Sequence, residues 1–145
     1  MDVAAEVVTR AREHGGSNPQ QRKYLLDHLS KLPAEVVVTA LLSIFARPED
    51  PELPEIFAQQ SLAGFLLWHG KHPCPVPLSD AIVGLLDGWN LSIEEVPWYL
   101  SREFGAVRVL ACIDSLLAQH QSAHHQRVLQ TLRYWVRYEP KGSAL

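Results

Sequence analysis

At 145 residues the chain has the length of one domain, enough to bury roughly two-thirds of its unfolded surface. Apolar residues make up 47% of it, which supplies a core and argues against global disorder. A formal charge of −3 gives no overall attraction to nucleic acid or an anionic membrane, and two cysteines, Cys74 and Cys112, are too few for a disulfide framework.

The opening residues, Met1-Asp2-Val3-Ala4-Ala5-Glu6, hold early acids and no basic segment before an apolar run, so no signal peptide is expected. A first helix is predicted from Asp2 to His14, with Val3, Val7, Val8 and Ala11 on one face and Gly15-Gly16 as its stop. Asn18-Pro19 opens a second, since proline at a helix's first position gives up no needed amide and Asn caps the free donors. Leu32-Pro33 opens a third. Its run from Val36 to Phe45 has almost no polar face, so this helix is expected to be central and surrounded.

Asp50-Pro51 is read as the start of a fourth helix reaching Trp68, with Leu53, Ile56, Phe57, Leu62, Phe65 and Leu66 inward. Its apolar stretch 62–68 is about a third of the ~20 residues a membrane span needs. His69 to Leu78, with Gly70, Pro73, Pro75 and Pro77, is predicted to be an extended loop. Ser79 opens a fifth helix carrying Ile82, Val83, Leu85, Leu86 and Trp89. Ser92 with Glu95 forms a capping-box pattern for a sixth, in which Pro97 removes one backbone bond. The seventh spans Ala106 to Ala118 and the eighth Ser122 to Tyr138. Residues 1–139 then form a single all-helical domain, and 140–145 a flexible C-terminal tail.

The fold class is therefore all-α: about eight short helices whose brief connections imply antiparallel hairpins. The paired segments 19–46, 51–88 and 92–118, with their all-round apolar inner helices, resemble HEAT-like helical repeat proteins. That resemblance implies a superhelical stack whose concave face binds another macromolecule. An irregular helical bundle is the alternative arrangement.

No enzyme is expected. Ser92 and Ser115 lack the GxSxG context of an activated nucleophile, no glycine-rich phosphate loop is present, and Glu94-Glu95 is explained by a helix start. The residue types point instead to a non-enzymatic protein-binding helical module of the cytoplasm, in its narrowest form an inhibitor or immunity-type protein. Trp89, Trp98 and Tyr99 are its candidate aromatic anchors, because buried tryptophan and tyrosine dominate binding surfaces. Arg133 and Arg137, interleaved with Tyr134 and Tyr138, form a candidate contact for an acidic partner. The competing explanation is structural: cations in a last helical turn complement the helix dipole. The alternative function is a metal- or small-molecule-binding helical protein using His69, His72 and Cys74, two imidazoles and a thiol suited to zinc, with His120, His124 or His125 as a fourth ligand.

Overall fold

The computed structural model describes residues 2–47 and 49–138, and among them the chain forms eight helices and no strand. These are α1 (Val3–His14), α2 (Pro19–Leu29), α3 (Ala34–Phe45), α4 (Pro54–Gly70), α5 (Leu78–Val83), α6 (Glu95–Phe104), α7 (Ala106–Leu117) and α8 (Ala123–Arg137). The expected tail at 140–145 lies outside the described residues.

Where a capping side chain sits beside one clear start, the helix begins there. Asp2 accepts from the Ala5 amide, Asn18 from Gln21 and Ser122 from His125, each satisfying a donor that the first turn leaves unpaired. Two starts move. Asp50 accepts from the Glu52 amide at 2.9 Å and makes a local turn, so α4 begins at Pro54. The Ser92 amide and hydroxyl both donate to Asn90 Oδ1, so the capping box does not form and α6 begins at Glu95. Pro97 consequently falls in the first turn, where its missing amide costs no helical bond.

The centre of the molecule is α4, not α3. It packs against α1, α2, α3 and α6, while α6, α7 and α8 pack on one another to complete a helical bundle. Leu62, Ala63, Gly64, Leu66 and Leu67 are buried on successive faces of α4, the signature of a helix surrounded by others. By contrast α3 buries Val37, Val38, Leu41, Ile44 and Phe45 but exposes Glu35, Val36, Thr39 and Ser43. Residues from all eight helices join one apolar core. Three inward assignments fail: Leu53, Phe57 and Val83 are all exposed.

A buried amide knot pins residues 88–92 to this bundle. Gln60, which is 1% exposed, donates through Nε2 to the Gly88 carbonyl at 2.6 Å and accepts from the Asn90 amide at 2.8 Å. Asn90 in turn donates through Nδ2 to the Pro51 carbonyl at 2.8 Å. Backbone groups taken out of water by the packing are thereby satisfied by side chains.

Candidate functional site

The long loop is anchored rather than free. Lys71 adopts the left-handed conformation (φ 58°) that ends α4. Arg102 donates from Nη1 to the Trp68 carbonyl at 2.6 Å and from Nη2 to the Leu67 carbonyl at 3.3 Å, capping the carbonyl end of that helix. Tyr99 is fully buried and its hydroxyl donates to the His72 carbonyl at 2.8 Å, while the Cys74 amide donates to Glu103 Oε1 at 3.1 Å. Burial pushes the Tyr99 hydroxyl and the Cys74 thiol well away from ionisation, raising both above their ordinary range.

These contacts decide the fate of the expected site residues. Trp89 and Tyr99 are 2% and 0% exposed, so they close the core and cannot act as surface anchors. Trp89 donates its indole N–H inward to the Ile93 carbonyl at 3.1 Å. Trp98 is half-buried and meets Trp68 edge-on at 5.9 Å, its indole nitrogen buried without a hydrogen bond. His69, His72 and Cys74 are not brought together with a metal's geometry: among the described residues no group of three or more His, Cys, Asp or Glu side chains could hold an ion. The His69 ring packs at a tilt against Phe65, centroids 4.3 Å apart, and the Cys74 thiol donates to the Val76 carbonyl. His125, a proposed fourth ligand, pairs with Asp87 at 2.7 Å.

The segment around α4 instead carries cations over aromatic rings. The Arg22 guanidinium lies 4.2 Å from the Phe65 ring centroid and that of Arg102 lies 4.7 Å from Trp68. Burial and the nearby charges of Arg22, Arg102 and Lys71 hold His69 below its ordinary value of 6.5. The unfolded chain therefore takes up this proton at a higher pH than the folded chain does. The neutral ring's contribution is complete above pH 6.5 and is lost as the pH falls through 6.5 toward the lowered folded value. Between pH 8 and 5.5 the melting temperature of the wild type should fall further than that of His69→Phe, which keeps the ring packing without the titration. The difference should be small because His69 is an exposed residue and solvent screens its interactions.

The second aromatic–cation surface is the outer face of α8. The inner face of this helix is fixed by Val128, Leu129, Leu132 and Val136 in the core and by the Trp135 indole N–H, which donates to the Leu91 carbonyl at 3.0 Å. On the outside, Tyr134 and Tyr138 are 52% and 60% exposed and their rings lie 4.6 Å apart. With Gln130, Arg133 and Arg137 they line an open groove of about 320 Å³. Arg133 is half-buried; its Nε lies 3.4 Å from Asp114 Oδ1 without forming a hydrogen bond. Arg137 is exposed in the last turn. The two arginines expected to make this contact and the tyrosines interleaved with them thus line one groove, and both tyrosines are exposed.

No protein-family model matches the chain, and neither a curated protein nor a solved structure proves similar to it. Among the described residues no helix is long and apolar enough to cross a membrane.

Proposed function

We propose that this chain is a non-enzymatic protein-binding module, and that the outer face of α8 receives an acidic segment of its partner. The observation that supports this reading is the exposed Tyr134–Tyr138 pair, which lines one groove together with Arg133 and Arg137. Neighbouring tyrosines offer a large apolar area with few rotatable bonds to freeze, and each hydroxyl can still hydrogen-bond. The planar guanidinium of Arg137 suits a carboxylate through two parallel hydrogen bonds. Rigidity adds to this: the helix is held from within by four core residues and the Trp135 hydrogen bond, so little order has to be gained on binding. In its narrowest form the module is a cytoplasmic inhibitor or immunity-type protein, with a toxin or an enzyme as the acidic partner.

The test is paired affinity capture from the native cell lysate, using the wild type and a Tyr134→Ala/Arg137→Glu variant. Both positions are exposed, so the variant should keep the wild-type melting temperature. One protein retained in stoichiometric amount by the wild type and lost by the variant is the expected result, with retention weakening as salt is raised. Equal capture by both, or no enriched protein with either, contradicts the reading.

A further inference from the structure

A second groove, remote in sequence from α8, runs between α2 and α4. Pro19, Leu26 and Phe65 give it an apolar floor, and Arg22, Lys23 and Asp27 stand at its rim. Positions 19, 22, 23, 26 and 27 repeat at helical spacing, so α2 turns one continuous face toward Phe65 while Leu25 and Leu29 enter the core. The volume is about 320 Å³, the lower end of the roughly 300–1,000 Å³ typical of small-molecule sites.

The charge at the rim is uneven. Two cations face one carboxylate, and the cations differ in setting: Lys23 is exposed, whereas Arg22 is half-buried against the Phe65 ring. Among the described residues the hydrogen bond that this guanidinium makes is from Nε to the Gly16 carbonyl at 3.0 Å. That contact fixes the plane of the group and leaves its two terminal nitrogens as donors. A guanidinium already partly withdrawn from water gives up less hydration when an anion arrives, and a desolvated pair is stronger than one in bulk solvent. Burial accordingly pulls Arg22 below its ordinary value, with the charge of Glu95 opposing the shift.

We propose that the α2–α4 groove is a binding site for a small amphiphilic carboxylate, its apolar body resting on Leu26 and Phe65 and its carboxylate held by Arg22 and Lys23. The site requires both parts of the ligand. The apolar floor gives a bare anion nothing to gain over water, and an uncharged apolar molecule leaves the Arg22 donors unused.

The experiment is a nuclear magnetic resonance titration of the intact chain with hexanoate, 1-hexanol and acetate in separate series. Hexanoate should shift the Leu26 methyl and Arg22 Nε–Hε signals saturably, with signals of α8 unmoved. Hexanol should bind at least about fivefold more weakly, the loss expected when one charge-assisted contact of about 1 kcal/mol is absent. Acetate should leave the Leu26 methyls in place. Lys23→Glu, an exposed change that preserves the fold, should weaken hexanoate by about fivefold or more on the same argument, and Arg22→Gln should do at least as much. If Arg22→Gln does not fold, the Lys23→Glu series decides alone. The proposal is overturned if hexanoate leaves these signals unmoved, if hexanol or acetate matches it, or if Lys23→Glu binds it as the wild type does.

Discussion

Gln60→Ala should lower the unfolding free energy by about 3 kcal/mol, because it leaves both the Gly88 carbonyl and the Asn90 amide buried without a partner. An unsatisfied buried polar group costs about 1–3 kcal/mol, and two lie within this knot, with a small cavity added to them. The loss should appear as a lower urea midpoint at unchanged slope, since the folded state stays compact. Gln60→Glu separates packing from hydrogen bonding. It keeps the shape and can still accept from the Asn90 amide, but its carboxylate cannot donate to Gly88. It should therefore also destabilise the chain, and more severely at neutral than at acid pH. An unfolding midpoint for Gln60→Ala equal to that of the wild type would show that the knot contributes nothing.

Gly88→Ala should be comparably damaging for a different reason. A Cβ at this position would lie 2.5 Å from the carbonyl oxygens of both Phe45 and Arg47. Those atoms belong to the backbone at the end of α3, which cannot rotate aside as a side-chain tip can. The α3 terminus or the 84–92 segment must shift, and the same movement stretches the Gln60–Gly88 hydrogen bond. Forced overpacking of this kind costs typically about 1–3 kcal/mol, and the linked hydrogen bond puts the expected loss at the upper end. Gly84→Ala is the matching control: its nearest atoms would be 3.4 and 3.5 Å away, an ordinary van der Waals distance, so its unfolding midpoint should stay near that of the wild type.

These two positions also show where the sequence could and could not be read. All-helical structure and most element positions were legible because capping residues, prolines and apolar spacing are local signals, as at Asn18-Pro19 and Ser122. The α4 start was not. Asp50-Pro51 and Leu53-Pro54 both offer a proline suited to a first turn, and only the Asp50 hydrogen bond to the Glu52 amide decides between them. The Ser92 box failed for a long-range reason, since Asn90 is held in place by Gln60 thirty residues earlier. The same pair disguised the hub. Gln59 and Gln60 interrupt the apolar pattern of α4 yet are buried, while the unbroken Val36-Val37-Val38 run in α3 leaves Val36 at the surface. For the surfaces, residue type identified Arg133 and Arg137 but could not tell an exposed aromatic from a buried one. Tyr99 and Tyr134 look alike in the chain, and the first is fully buried while the second is half in water. The α2–α4 groove left no trace in sequence, because Arg22 and Phe65 meet only when α2 packs on α4.

The most direct measurement of the binding account is hydrogen–deuterium exchange across the whole chain, free and saturated with the acidic partner recovered by capture. New protection should be confined to the α8 peptides spanning residues 123–138, with 89–99 unchanged, because Trp89 and Tyr99 are already sealed in the core. Protection centred on α2, α4 and α6 with α8 unaltered would contradict the account and move the contact surface to the arginine–aromatic face around Phe65 and Trp68.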